Sequence, residues 1–433
     1  MTASEQPFDI RGVALSAFLP AVLFAIGEGA IIPIIPIAAH SLGASLAFAG
    51  FVASLILVGE LIGDVPSGWV VAAIGERTAM IGAALVSIVG LLIAAAAPNA
   101  IVLALGVFLV GVSTAVFALA RHAYMTTAVP LRYRARALSS LGGVFRFGYF
   151  VGPFLSAGVT HITGTTQSAF WIQVVCCLAA AGVLLVLRDP VDGSRGLRIR
   201  SHASRPDATG STGTSSTGTL ALDAGQTRVR EESVGLFRTI RAHRAVLLRL
   251  GSGAGLIGAM RAGRQVILPL WAVSVGMQDS AAALVIGIAG AIDFALFYSS
   301  GQIMDRFGRL ASALPCMLGL SICYFLLAFS DRLDTRVTWF IAVAMLMSLA
   351  NGVGSGILMT LGADLAPRSG PAPFLGAWRF TGDLGSAIAP LVIAGVTAVA
   401  TIAVASTVMG ALGIVGAGVL VRYVPRYLPR TLR

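Results

Sequence analysis

The sequence predicts an all-α polytopic membrane protein, with twelve transmembrane helices in two pseudo-symmetric bundles of six. Three observations predict it. Mean hydropathy is +0.88, with 57% apolar and 11% charged residues, where soluble domains run at about half and about a quarter. Apolar runs long enough to cross the hydrocarbon core, about 20 residues, recur along nearly the whole chain. The chain also repeats itself. One constant shift lands Pro36 on Pro269, Gly43 on Gly276, Glu60 on Asp293, Gly68 on Gly301, Gly75 on Gly308 and Arg146 on Arg379. A β-barrel is disfavoured, because barrel strands alternate over about ten residues and these runs are continuously apolar.

Taken in order, the runs fall near 13–38, 46–71, 78–97, 100–127, 137–161, 166–187, 245–273, 281–304, 310–330, 337–362, 372–397 and 400–422. The first contains FAIGEGAIIPIIP (24–36) and places Glu28 well inside apolar sequence; it is too long for a signal-peptide core and is read as a retained helix. The second carries Glu60 and Asp64 and leads into GWVVAAIGER (68–77). The fourth ends near Arg121 and His122, and the fifth holds Arg146 within FRFGYFVGPFLSAG (145–158). Runs six and nine bury the four cysteines, Cys176, Cys177, Cys316 and Cys323, which show no clustering with histidine and read as packing residues. Run seven brings Arg261 and Arg264. Run eight brings Asp293 and leads into GQIMDRFGRL (301–310). Run eleven sets Arg379 and Asp383 one helical turn apart, the spacing of a local ion pair.

Between runs six and seven, 188–244 changes character. SRPDATGSTGTSSTGT has almost nothing to bury and reads as a flexible linker. EESVGLFRTIRAHRAVLLRL mixes apolar and basic residues, as a helix lying on the membrane surface does. The expected organisation is a bundle over 1–187, a cytoplasmic linker over 188–244 and a second bundle over 245–433.

The net charge of +11 is carried entirely by 30 arginines. It does not point to nucleic acid, because the arginines sort by side. About 22 fall in segments sharing a side with both termini, and only Arg332 and Arg336 fall in the opposite loops. The positive-inside rule then predicts a multi-pass protein of the plasma (inner) membrane with both termini cytoplasmic. Without lysine, any mechanism needing an amine is excluded. No phosphate-binding loop, metal cluster or serine elbow is present, so neither an enzyme, an ATP-driven pump nor a cofactor is expected.

GQIMDRFGRL has the spacing G-x-x-x-D-R-x-G-R, which resembles the loop signature of the major facilitator superfamily; the two-half, twelve-span layout extends the resemblance over nearly the whole chain. The resemblance implies alternating access by two rocking bundles, with Gly301, Asp305, Arg306, Gly308 and Arg309 latching their cytoplasmic ends. The first-half copy has Ala72 and Ala73 for the Asp-Arg pair and Glu76 for the second basic position, so the latch is expected to be one-sided. Gly148, Gly152, Pro153 and Gly158 of run five resemble the glycine-proline motif of the drug:proton antiporter branch, with Ala157 where a glycine often stands. The G-rich stretch and P-x-x-P of run one resemble the same branch. These features imply proton-coupled efflux of a small apolar or cationic compound, with small solute, protons and lipid as partners. The rival expectations are symport or uniport of a sugar or organic anion, which the arginines of runs five and seven suit, and a non-transporting receptor or scaffold.

Buried charge supplies the candidate chemistry, because an ionisable side chain at membrane depth costs about 3 kcal/mol or more unless it faces a cavity or a partner. Glu28 is the expected proton carrier or substrate contact. Arg261, its repeat counterpart, and Arg264 are the expected partners across a central cavity, with Asp293 and Arg146 as further candidates. Glu60 and Asp64 are assigned structural or gating roles, bonding adjacent helix ends or Arg121 and His122.

Overall fold

The computed structural model describes residues 18–128, 131–186, 241–331, 333–367 and 372–428. The linker expected over 188–244, apart from 241–244, lies outside the described residues, as does Arg332. The described residues form helices and turns without strands. The first half comprises α1 (Leu19–Ile31), α2 (Ile34–Ser41), α3 (Leu46–Ile74), α4 (Glu76–Ala95), α5 (Ala100–Ala128), α6 (Leu131–Thr163) and α7 (Phe170–Val186). The second comprises α8 (Arg244–Ser274), α9 (Asp279–Phe307), α10 (Arg309–Ser330), α11 (Arg336–Val353), α12 (Ile357–Leu365), α13 (Ala372–Val399) and α14 (Ile402–Tyr427).

Taking α1–α2 and α11–α12 as one broken span each gives twelve spans. Length and hydropathy alone qualify all of them except α6, the least apolar of the long helices, which carries Arg146 and Tyr149 into the bundle.

The repeat reappears in the backbone. The shift that carries Pro36 to Pro269 also carries both ends of α3 onto both ends of α9, each 29 residues long, and the start of α4 onto the start of α10. Gly75 (φ 82°, ψ 158°) ends α3 and starts α4; Gly308 (φ 91°, ψ 171°) does the same for α9 and α10. That region of backbone space is open in practice only to glycine, which explains why both loops keep this residue although their charges have diverged.

The two halves differ where their helices break. Pro33 has no N–H to continue the ladder, and α1 and α2 meet at a 40° bend. In the second half, α8 runs unbroken through the equivalent stretch, and the break falls instead at Gly354–Gly356, with Gly356 left-handed at φ 83°. Carbonyls freed at membrane depth need other donors. Ser156 Oγ reaches Ala30 O at 2.5 Å. At the second break, Ser312 Oγ takes Val353 O (2.6 Å), Arg261 Nη2 takes Gly354 O (2.5 Å) and Ser300 Oγ takes Ser355 O (2.6 Å). Three neighbouring helices thus hold one irregular turn in place.

Within each half, small residues bring helix backbones into contact. A Cβ on Gly29 would lie 2.5 Å from Gly148 O, and one on Gly152 2.6 Å from Ile26 O, so α1 and α6 touch backbone to backbone. Gly385, the repeat counterpart of Gly152, meets the Gly255 backbone of α8 in the same way. Between the halves, α9 packs on α6 and α13 on α3. Their close approaches involve Gly50, Gly287 and Gly290, toward the arginine-poor end of the helices. Toward the opposite end, Asp64 on α3 and Arg379 on α13 are exposed, so the cleft between the halves opens there.

Candidate functional site

A cavity of about 330 Å³ lies between the two halves. Both helix breaks reach it, through Ile32 and Pro33 on one side and Ser355 on the other. Its charged lining is Arg146 from α6, Arg261 and Arg264 from α8 and Asp293 from α9.

Arg264 and Asp293 form an ion pair within the second bundle. Arg264 Nη1 also donates to Ser348 Oγ at 2.6 Å, and Asn351 Nδ2 donates to Asp293 Oδ1 at 3.1 Å. Arg261 is bonded to the Gly354 carbonyl at the break. The guanidinium of Arg146 lies 4.2 Å over the Phe297 ring, so a side chain of the first bundle rests on a helix of the second. These arginines are not partners of Glu28, contrary to the sequence expectation. Arg261 and Arg264 turn into their own bundle, because the irregular turn and the α9 carboxylate offer acceptors there.

Glu28 opens instead onto a smaller recess of about 60 Å³ beside the main cavity, together with Glu60. Ile32, Tyr149 and Gln265 line both spaces and form the partition. Glu28 is 3% exposed, with the Tyr149 hydroxyl in hydrogen-bonding reach and Arg121 of α5 as its neighbouring cation. Arg121, also 3% exposed, stacks its guanidinium 4.0 Å from the Phe145 ring. Glu60 faces Arg379 and Asp383 of α13 as well as Glu28. Arg379 and Asp383 pair along their own helix at 3.2 Å.

The run-five residues divide. Gly148 and Gly152 are occupied by contact with α1, and Pro153 reaches the cavity wall. Gly158 faces open space. In the last turns of α9, Gly301 also faces open space, and Arg306 lies 5.4 Å over Phe307. Arg309, the first residue of α10, is the centre of the polar contacts at this turn. Its Nε donates to Asp364 Oδ2 at 2.8 Å and its Nη1 to Met304 O at 2.9 Å, whereas Asp305 Oδ1 is 3.4 Å away on a side chain 83% exposed. In the first half, Arg77 Nε donates to Leu184 O at the end of α7, 2.7 Å away. Sequence reasoning did not find Asp364, Asn351, Ser348 or Gln265. The one available signal was an acid, Asp364, at the arginine-rich end of run ten.

The profile of the Major Facilitator Superfamily matches residues 17–390. The chain belongs to the Major Facilitator Superfamily. Its fold and family are those of transporters rather than enzymes, and it is a multi-pass membrane protein. Among solved facilitator structures it is similar to a D-xylose–proton symporter (TM-score 0.73, 15% identity, 98% of each chain). It is also similar to a peptide-bound POT family transporter (TM-score 0.73, 12% identity, 96% of each chain). At such identities the likeness is one of fold alone. Among curated facilitators, the galactose–proton symporter of Escherichia coli is 27% identical over 173 residues, which is 40% of this chain and 36% of that protein. The probable inositol transporter 2 of Arabidopsis thaliana is 28% identical over 114 residues, 26% of this chain and 20% of that protein. The matches therefore span well under half of these relatives.

Proposed function

We propose that this protein is a proton-coupled symporter that carries a small solute through the cavity between its bundles by alternating access, with Glu28 as the coupling carboxylate. The carrying observation is the separation of acid and cavity. Glu28 and Glu60 line the recess, not the solute cavity, while Asp293, the one carboxylate lining the cavity among the described residues, is held by Arg264 and Asn351. A proton and a solute then occupy different groups and bind together. Antiport by competition needs both to contend for the same carboxylate. The symporters named among the relatives support the same reading.

The second reading is proton-coupled efflux of an apolar or cationic compound, supported by the glycine-proline stretch of α6. Packing against α1 already accounts for Gly148 and Gly152, which leaves that stretch without a separate claim on export. Under either reading the chain comprises two bundles, 1–187 and 245–433, in the plasma (inner) membrane. The arginine distribution supports cytoplasmic termini, with the open end of the cleft on the same side.

Proteoliposomes enclosing a pH dye separate the readings. Solutes from sugar, organic-acid and organic-cation classes are added outside without a gradient. Symport acidifies the lumen; antiport alkalinises it and overturns the proposal. Glu28→Gln is expected to retain solute counterflow and lose proton movement. Unchanged proton movement in that variant removes Glu28 from the coupling role.

A further inference from the structure

We infer that the recess holds water joining Glu28 to Glu60, and that Glu60 and Asp64 pass the proton of Glu28 to the open end of the cleft without crossing the solute cavity. This rests on the reading of Glu28 as the coupling carboxylate and adds to it the route by which its proton leaves.

A proton on Glu28 needs a way to bulk water, because the side chain is 3% exposed. Two ways lead out of the recess. One crosses the partition of Ile32, Tyr149 and Gln265 into the solute cavity. The other follows α3. The chemistry of the recess favours the second. Water occupies a buried space that is roomy enough and offers it about two to four polar partners. The recess has about 60 Å³ and the polar side chains of Glu28, Glu60, Tyr149 and Gln265, while Ile35, Ala53, Ile56 and Leu57 close it with apolar surface. A water among those four side chains has a carboxyl of α1 on one hand and a carboxyl of α3 on the other.

Helix geometry sets the next step. Asp64 follows Glu60 by four residues in α3, so the two share a face with Cβ atoms about 5–6 Å apart. Exposure rises along the line: Glu28 is buried, Glu60 half-buried and Asp64 exposed. Asp64 stands where the cleft opens. Glu60 takes part in none of the ion pairs among the described residues. Ion pairing therefore does not account for an acid at this depth, and a share in proton transfer does.

Glu28 is faced by Arg121 from α5, Tyr149 from α6, Cys177 from α7 and Glu60 from α3. Glu60 is faced by Glu28, by Asp64 of its own helix, by Tyr149 from α6 and by Arg379 and Asp383 from α13. The same two α13 residues face Asp64. Arg121 at the buried end and Arg379 at the open end thus offer each carboxylate a counter-charge once its proton has gone. In the transfer, the Glu28 carboxyl gives its proton to the recess water as that water gives one to Glu60. Glu60 hands a proton to Asp64, and Asp64 to water in the cleft. Glu60 and Asp64 end as they began, and Glu28 is left ionised.

The test follows this proton in the full chain in nanodiscs, with no solute added. Time-resolved infrared spectroscopy after a rapid pH jump identifies the carboxyl C=O band of Glu28 as the one missing from Glu28→Gln. Its rate of exchange with bulk is compared at equal distance from each variant's own titration midpoint, because removing a neighbouring charge moves that midpoint. Glu60→Gln should slow the exchange about tenfold or more. Asp64→Asn should slow it less, and the carboxyl-retaining Glu60→Asp and Asp64→Glu should recover part of the rate. Melting temperatures show that the variants are folded. The inference is overturned if folded Glu60→Gln exchanges the proton as fast as wild type, which would send it through the solute cavity. It is also overturned if neither carboxyl-retaining variant is faster than its amide counterpart. If no band belongs to Glu28 at any pH where the chain stays folded, the route and the coupling role of Glu28 are both overturned. The expected rates without coupled proton movement in liposomes would overturn the symport reading alone.

Discussion

At the scale of residues, the turn from α9 into α10 shows how a recognisable pattern of charges can be distributed differently in space from its order in sequence. G-x-x-x-D-R-x-G-R draws attention to Asp305. Yet Asp305 points to solvent at 83% side-chain exposure, and an exposed ion pair contributes about 0–1 kcal/mol. Arg309 is 8% exposed and binds Asp364, itself 16% exposed, together with a backbone carbonyl. Removing the Asp364 charge leaves a largely buried guanidinium short of its closest anion, a loss of about 1–3 kcal/mol. Asp364→Asn and Arg309→Gln should therefore lower the melting temperature and slow counterflow. Asp305→Asn should fall within about 0.5 kcal/mol of wild type in stability. A larger effect of Asp305→Asn than of Asp364→Asn in the same assays would return the latch to Asp305.

At the scale of elements, the twelve spans were legible because hydropathy is a property of sequence composition along one dimension. The breaks were not. Run ten reads as a single apolar stretch over 337–362 because apolar residues stand on both sides of Gly352–Gly356, and the φ of 83° at Gly356 leaves no mark on hydropathy. The buried charges were legible as improbable residues at depth, but their pairings were not. Arg261 and Arg264 share a helix face, and which acceptor each meets depends on where α9 and α11 place Asp293 and Gly354. Glu28 was found by depth alone, and its neighbours Arg121 and Tyr149 come from α5 and α6. The glycines of α6 give a test at this scale. Gly152 touches the α1 backbone, which cannot yield as a side chain can, whereas Gly158 faces open space in the same helix. Gly152→Ala should force α1 and α6 apart and destabilise by about 1–3 kcal/mol, the range for overpacking. Gly158→Ala should be neutral or stabilising by up to about 1 kcal/mol through helix propensity. Equal melting temperatures for the two variants would show that α1 and α6 are not in backbone contact.

At the scale of the whole molecule, two bundles related by one constant shift in sequence keep the same turns and differ in charge. Position for position, Glu28 answers to Arg261 and Glu60 to Asp293. The acidic recess is therefore mainly a property of the first bundle, and the Arg264–Asp293 pair a property of the second. Alternating access requires these bundles to separate at the end where they now touch. Gly50 of α3 and Ala394 of α13 mark that contact: a Cβ on Gly50 would lie 3.6 Å from the Ala394 Cβ, within the range of about 3.5–4.5 Å that a disulfide spans. The four native cysteines are buried and unpaired. In Gly50→Cys/Ala394→Cys, oxidation should link the bundles at the arginine-poor end and stop counterflow, and reduction should restore it. Each single variant should be indifferent to oxidant. If the linked protein transports at the wild-type rate, the bundles need not part at this contact, and the exchange pathway must open elsewhere.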